Sequence, residues 1–236
     1  MRYGSIPAGG QGTRMQPLGF SKELLLVDGR AVIEHLIERM LLSGIENIFI
    51  NTSSDKSDLV TYLSSKSPYS ARCIFMVRER RGLLDAIVQP YQFLRYDDEL
   101  YFGLPDTIWY PKNSFSTLSA FEEKVSLGLF DTGTPNKFDT VYIDHRGVVE
   151  SIKVKDPFPK TKWTWGIGKI AVCEISKLAS ASHAENDKEL LMGEALDIYS
   201  KQSVIMAVKI DNSSYIDVGE PESYQRAENF VRVHER

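Results

Sequence analysis

GSIPAGGQGTRMQPLGFSKELLLVDGR, residues 4–30, joins an apolar run, a glycine-rich turn and two spaced cations in one short stretch. Glycines at the end of a strand let the backbone come close to a phosphate group and offer it N–H donors. Arg14 and Lys22 follow this turn, so the stretch indicates a loop that binds a phosphorylated ligand.

Two familiar phosphate-binding loops are excluded by residue spacing. A dinucleotide fingerprint counted from Gly10 requires glycine or alanine at position 15, where the chain has Met15, and Pro17 prevents the helix that should follow. A Walker loop counted from Gly9 requires Gly-Lys-Ser/Thr at 14–16, where the chain reads Arg-Met-Gln.

Strand-like and helical patterns alternate along the first half of the chain. The predicted strands are 2–7, 47–52, 72–77 and 99–106, and the predicted helices are 31–44, 57–65 and 82–94. Such alternation predicts an α/β fold, with a mostly parallel sheet covered by helices on both faces. Ligands of such sheets bind beyond the carboxyl ends of the strands, where the glycine turn and Asp106 both fall.

The second half of the chain changes character. It is predicted to hold a hairpin at 137–156, a strand at 165–175, a helix at 187–201, a strand at 203–210 and a helix at 221–231. No internal repeat or linker interrupts it, so residues 1–236 are expected to form one domain.

Composition limits the class of function. Lys plus Arg is 28 and Asp plus Glu is 32, giving a formal net charge of −4, which argues against a nucleic-acid partner. No apolar run approaches the ~20 residues of a membrane helix, and the N-terminus lacks a secretory apolar region. A cytoplasmic enzyme is expected, with Cys73 and Cys173 as buried free thiols and His35 packed among helix residues.

The opening stretch resembles the signature of the sugar-1-phosphate nucleotidyltransferases, which make nucleoside diphosphate sugars. The matching blocks are PAGGQGTRM, QPLGF, SKELLLVDGR and AVIEHLIERMLLSGI, and GLPDTIWY, VVESIKVKDPFPKTKWTWGIGKIAV and SYIDVGEPESYQRAEN continue the resemblance in order. The resemblance implies a Rossmann-like three-layer α/β/α sandwich with a mostly parallel mixed sheet, the nucleotide-diphospho-sugar transferase fold.

The resemblance also implies a reaction, in which a sugar 1-phosphate oxygen attacks the α-phosphate of a nucleoside triphosphate and releases pyrophosphate. Hexose 1-phosphates are the favoured acceptors. Arg14 and Lys22 would be the catalytic cations, and Asp106 and Asp217 would bind Mg²⁺. The nucleotide would contact Ala8, Gly9, Gly10, Gln11, Gly12, Thr13 and Gly82, and the sugar phosphate would contact Lys155 and Gly166.

The chain departs from the family pattern on the substrate side. Val154-Lys155-Asp156 stands where the family has Glu-Lys-Pro, and the glutamine near the base has Arg78 as its nearest equivalent. These departures leave the identities of the base and the sugar open. The oligomeric state is also open, and a homo-oligomer is one of the alternatives. Two alternatives also stay open: a non-catalytic module that senses nucleotides or sugar phosphates, and a transferase for a non-sugar phosphate acceptor.

Overall fold

A computed structural model describes residues 1–181 and 190–235. In chain order the elements of these residues are β1 (Arg2–Pro7), β2 (Leu26–Val27), β3 (Arg30–Ala31), α1 (Val32–Leu42), β4 (Asn47–Thr52), α2 (Ser57–Ser65), β5 (Cys73–Val77), α3 (Leu83–Val88), β6 (Glu99–Gly103), β7 (Thr107–Tyr110), α4 (Phe115–Ser119), β8 (Val125–Asp131), β9 (Asp139–Ile143), β10 (Val149–Val154), β11 (Trp163–Ala171), α5 (Ile175–Ala181), α6 (Met192–Ser200), β12 (Met206–Lys209), β13 (Ser214–Asp217) and α7 (Pro221–His234).

The main sheet is mixed. Strands β5, β4, β1 and β6 lie side by side and parallel, because helices connect them in sequence. Strand β11 continues the sheet antiparallel to β6 and also pairs with β8 and β9, while β10 pairs with β9 as the predicted hairpin. Strand β12 adds a further parallel pair with β8. The predicted α/β class is confirmed. Parallel pairing is found among β5, β4, β1 and β6 and between β8 and β12.

Helices cover both faces of the sheet. Leu100 and Phe102 of β6 pack in a cluster with residues of α3, α5 and α6, whereas Tyr101 between them packs with residues of α1, α2 and α4. Alternate residues of a strand point to opposite faces, so two separate cores sandwich the sheet. The predicted three layers are therefore present.

A small second sheet stands beside the main one. Strand β7 pairs antiparallel with β13, with Thr107 opposite Asp217. The backbone N–H of Val218 donates to the carbonyl of Asp106 at 2.7 Å, which extends this pairing by one step. A third core, which includes Val218 and Ala227, packs α7 against this pair of strands. Two segments far apart in the chain thus meet beside the glycine turn.

Several predicted boundaries differ from the observed ones for identifiable reasons. Helix α3 ends at Val88 and passes into a 3-10 turn that contains Pro90, as a proline requires. Strand β6 ends at Gly103, so Asp106 lies in the turn before β7 rather than in the strand. Of the predicted helix at 187–201, residues 187–189 lie outside the described residues, and α6 forms within the rest.

The remaining expectations concern single residues and the membrane. His35 is fully buried, as predicted. Cys73 and Cys173 are free thiols but only half-buried. Within residues 1–181 and 190–235, no helix is both long and apolar enough to span a membrane.

Candidate active site

The glycine loop, residues 8–13, leaves the carboxyl end of β1. The N–H of Ala8 donates to the carbonyl of Asn51 at 2.7 Å, so the pairing of β1 with β4 continues into the loop. Gly12 has φ +64°, and a Cβ there would lie 3.1 to 3.3 Å from the side-chain carbons of Lys22. Glycine is therefore favoured at this position, both for the backbone conformation and for the close approach of Lys22.

Lys22 lies across the glycine loop and forms an ion pair with Asp106. Its Nζ is 2.5 Å from Asp106 Oδ2, and both side chains are mostly buried. Burial alone would lower the pKa of Lys22, but the charge and hydrogen bond of Asp106 outweigh this effect, so the pKa is raised. The ammonium group therefore remains charged at neutral pH.

Arg14 contacts two carboxylates, one at the end of β13 and one just before α7. Its Nη1 is 3.0 Å from Glu220 Oε1 and 3.5 Å from Asp217 Oδ2, and more than half of its side chain is exposed. Lys137 holds the second oxygen of Glu220 at 2.8 Å, and this hydrogen bond lowers the pKa of Glu220. Glu220 thus stays ionised and anchors Arg14 beside the aspartates.

The charged groups converge around Gly219. A Cβ on this glycine would be 2.9 Å from Asp217 Oδ1, 3.0 Å from Asp106 Oδ2 and 3.2 Å from Arg14 Nη2. The N–H of Gly219 also donates to Asp217 Oδ1 at 2.7 Å. Burial first, and then the negative charge of Asp106, raise the pKa of Asp217. Two carboxylates and a guanidinium therefore surround one small space.

The two aspartates fit a magnesium ion. Their oxygens come from the turn before β7 and from the end of β13 and lie within about 3 Å of one point, and Mg²⁺ takes one or two carboxylates together with phosphate oxygens. In the part of the chain that the structure describes, no group of three or more His, Cys, Asp or Glu residues is placed to hold a metal. Two carboxylates leave the other positions around such an ion to phosphate oxygens or water.

A cleft of about 340 Å³ opens between the glycine loop and residues 78–82. Among the residues that line it are several of those predicted from the sequence: Gly9, Gly10, Lys22, Gly82 and Asp106. Gly82, with φ +96°, precedes the first turn of α3. The cleft thus joins the glycine loop, the Lys22–Asp106 pair and the segment predicted to face the base.

Arginines form one wall of this cleft. The Nε of Arg80 donates to the carbonyl of Gly9 at 2.5 Å, and its Nη2 pairs with Asp55 at 2.5 Å. With the Gln89 amide turned so that its oxygen faces the guanidinium, Arg78 donates two hydrogen bonds to it, at 3.1 and 3.2 Å. Arg78 was the sequence-based candidate near the base. Arg80 carried no separate signal, because its contact with Gly9 depends on how two distant loops fold together.

The other predicted residues lie outside this cleft. Gln11 and Thr13 line a separate depression on the far side of Lys22. Lys155 directly follows β10 and has φ +44°. Burial raises the pKa of Asp139, and the charge of Lys155 opposes that rise. A Cβ on Gly166 would lie 2.7 Å from Tyr215 and 2.8 Å from Phe130, so packing alone requires a glycine there. Among the described residues that line the cleft, neither Lys155 nor Gly166 is present.

Comparison with known proteins places the chain in a family. A family model described as "Nucleotidyl transferase" matches residues 4–233. A glucose-1-phosphate thymidylyltransferase of Mycolicibacterium smegmatis is 25% identical over 239 residues, which cover 98% of this chain and 83% of that protein.

Solved structures agree in fold. A Bacillus anthracis protein in complex with sucrose has a TM-score of 0.85 at 23% identity, over 98% of this chain and 96% of that one. A UDP-glucose pyrophosphorylase in complex with UDP-glucose has a TM-score of 0.83 at 18% identity, over 100% of both chains. These likenesses confirm the nucleotide-diphospho-sugar transferase fold.

The family model over residues 4–233 and the thymidylyltransferase relative identify the class of protein as a nucleotidyltransferase. The chain belongs to the nucleotidyl transferase family, and the resemblance to sugar-1-phosphate nucleotidyltransferases that the sequence carries is confirmed.

Proposed function

We propose that the protein transfers a nucleoside monophosphate from dTTP or UTP to a hexose 1-phosphate and releases pyrophosphate. One observation carries this proposal: Arg14, Asp106 and Asp217 surround a single point at Gly219, and Lys22 pairs with Asp106 beside the cleft. Cations and carboxylates in this arrangement suit a reaction that needs positioning and charge neutralisation rather than covalent catalysis.

The chain's own residues have separable roles in the proposed reaction. An oxygen of the sugar 1-phosphate forms a bond to the α-phosphorus, and the bond from that phosphorus to the bridging oxygen breaks. Pyrophosphate leaves with the electron pair, so the reacting atoms need no proton transfer. The glycine-loop amides hold the triphosphate, Lys22 neutralises the α-phosphate oxygens, and Arg14 binds the departing pyrophosphate.

Asp106 and Asp217 would hold Mg²⁺, which when bound supplies further neutralisation of phosphate charge. The geometry supports this assignment, because Asp106 Oδ2 and Asp217 Oδ1 both lie within about 3 Å of one point beside Gly219, where a single ion would reach both.

The acceptor side of the proposal rests on similarity. The name of the relative in Mycolicibacterium smegmatis, a glucose-1-phosphate thymidylyltransferase, supports a hexose 1-phosphate and a thymidylyl or related donor. We propose that Lys155 and Gly166 contact the sugar phosphate, and this assignment is supported by the sequence resemblance alone. Val154 cannot accept hydrogen bonds from sugar hydroxyls, so we expect loose discrimination among hexose 1-phosphates.

The test is pyrophosphate release from a panel of nucleoside triphosphates and sugar 1-phosphates, with and without Mg²⁺. We expect release with dTTP or UTP and a hexose 1-phosphate. Arg14→Ala and Lys22→Ala should each lower turnover by at least about a hundredfold. Arg14→Ala should unfold close to the wild-type temperature, because Arg14 is a half-exposed cation. Lys22→Ala leaves the mostly buried Asp106 without its partner and should unfold at a lower temperature, so its turnover is compared per folded molecule.

Arg72→Ala is the matched control. Arg72 is an exposed arginine at the end of a 3-10 turn just before β5, and it pairs with Glu46. It lies at the amino end of its strand, whereas the glycine loop lies at the carboxyl end of β1. Its loss should leave turnover unchanged. A folded wild-type protein that releases no pyrophosphate with any pair would instead support the sensing module.

A further inference from the structure

A buried ion pair lies directly behind Lys22. The Nζ of Lys56 is 2.7 Å from both carboxylate oxygens of Glu23, the residue that follows Lys22 in the chain. The side chains are 6% and 0% exposed, so both charges are removed from water. Neither the loop signature nor the proposed chemistry uses this pair.

Stability alone is a weak explanation for such a pair. Taking two charges out of water costs nearly as much as their attraction returns, and well-packed apolar replacements are often equally stable. Burial raises the pKa of Glu23 and lowers the pKa of Lys56, which agrees with this cost. The pair therefore contributes mainly a fixed geometry.

A second contact grips the residue on the other side of Lys22. Both the backbone N–H and the hydroxyl of Ser21 donate to the carboxylate of Asp58, at 2.6 and 2.7 Å. Asp58 lies in the first turn of α2, and Lys56 is the residue immediately before that helix. The start of α2 therefore holds both neighbours of Lys22.

Lys22 points away from these contacts. It opens a 3-10 turn, Lys22–Leu24, and its side chain crosses Gly12 to reach Asp106. With the residues before and after it tied to α2, the backbone at Lys22 has little freedom to tilt. The contacts of Ser21 and Glu23 with the start of α2 thereby fix the direction in which the Lys22 ammonium group points.

We propose that Ser21, Glu23, Lys56 and Asp58 form a clamp that positions Lys22 for the transfer reaction. The clamp residues do not touch the reacting atoms, and the assignment rests on the proposed role of Lys22. A displacement of about 1 Å in a group that contacts the reacting phosphate lowers rates by up to about a hundredfold, so a device for fixing this one side chain has a large effect.

The double variant Glu23→Leu/Lys56→Met separates positioning from stability. It removes both buried charges together, so it should unfold within about 4 °C of the wild type. Its kcat for pyrophosphate release should nevertheless fall about 10- to 100-fold, with KM for the sugar phosphate changed far less. Lys56→Arg keeps the ion pair and should retain most of the turnover.

Asp58→Asn provides a second variant that is safe for folding, because Asp58 is only partly buried and the change conserves volume. It weakens the hold on Ser21 and should lower kcat several-fold. Lys169→Met is the matched control: Lys169 is a buried lysine paired with Glu99 at 3.2 Å, at the opposite end of β6. It should lower stability without changing kcat per folded molecule.

Hydrogen exchange of the peptide covering residues 20–26 gives a measure that is independent of turnover. Exchange there should accelerate in the double variant and in Asp58→Asn while the rest of the sheet is unchanged. A double variant with wild-type kcat, or with unaltered exchange in this peptide, would overturn the clamp. If the wild type releases no pyrophosphate, the proposed function is wrong. Faster exchange of residues 20–26 in the variants would still show that these four residues hold the backbone at Lys22.

Discussion

His35 shows what one buried side chain dictates. Its Nε2–H donates to the carbonyl of Val27 at 3.1 Å, and its Nδ1 accepts from Arg30 at 3.3 Å, so its partners define a neutral ring. Burial and then the charge of Arg30 lower the pKa of His35 to about 4. Protonation would replace an accepted hydrogen bond with repulsion between two cations.

This lowered pKa makes the fold sensitive to mild acid. The unfolded chain, with a histidine pKa near 6.5, takes up the proton first, so stability is full above about pH 6.5 and is lost as the pH falls toward about 4. Between pH 7.5 and pH 5 we expect His35 to account for a loss of about 2 kcal/mol in the free energy of unfolding. His35→Gln should remove that part of the pH dependence in urea titrations; an unchanged slope would assign it to other groups.

Among single residues, those within the loop and strand-end motifs were predictable, and their partners were not. Arg14, Lys22, Asp106 and Asp217 carry a local signal, and the structure brings them together. Glu220 binds Arg14 across 206 positions of sequence, and no spacing rule reaches that far. Charge partners of this kind are fixed only when the strands that carry them pair.

At the scale of elements, the sequence predicts the helices and strands whose apolar residues form a clear run or a regular repeat. Helices α1 and α2 and strand β4 lie where the sequence predicts them, because each has a clear apolar pattern bounded by polar or glycine positions. Strands β7 and β8 were not predicted. Strand β7 has only four residues between the turn at Asp106 and Pro111, and Gly128 interrupts the apolar residues of β8, so the sequence signal for either strand is weak.

The connection between β13 and α7 depends on the missing side chain of Gly219. A methyl group there would lie 2.9 to 3.2 Å from Asp217, Asp106 and Arg14, in the space where the proposed phosphate and metal bind. Because its φ is not in the left-handed region, alanine fits the backbone. We expect Gly219→Ala to lower turnover by at least about a hundredfold, with little change in the unfolding temperature.

Gly19→Ala is the control for that prediction. Nothing lies within 4 Å of a Cβ at Gly19, although it belongs to the same long loop as Arg14. It should keep wild-type turnover. A Gly219→Ala protein with normal turnover would mean that the reacting groups do not approach this point.

The whole molecule brings Asp106 and Asp217 together. One follows the parallel half of the sheet, and the other lies just before the closing helix, so their proximity exists only when β7 and β13 are paired. A metal held by both carboxylates binds the folded chain and not the unfolded one, so its binding energy adds to global stability. Metal binding can therefore be measured without any turnover.

Thermal unfolding with and without Mg²⁺, in the presence of pyrophosphate as the phosphate ligand, tests this coupling. At a hundredfold excess over Kd, we expect Mg²⁺ to stabilise the wild type by about 2.7 kcal/mol. Asp106→Asn and Asp217→Asn should each abolish most of that gain. Asp139→Asn, which removes a half-buried carboxylate that accepts a hydrogen bond from Trp165 outside the cleft, should keep that gain.

Without Mg²⁺, we expect the substitution Asp217→Asn to raise the unfolding temperature of the protein rather than lower it. The pKa of Asp217 is raised, so its ionised form is less stable in the folded protein than in the unfolded chain, and this penalty is present at pH 7. Asp217→Asn should therefore unfold at a higher temperature than the wild type at pH 7. The difference should shrink as the pH falls through the raised pKa, where the wild-type carboxyl gains its proton. If Asp217→Asn is less stable at pH 7 and still responds to Mg²⁺, the two aspartates do not share an ion, and their role is to pair with the cations, Asp217 with Arg14 and Asp106 with Lys22.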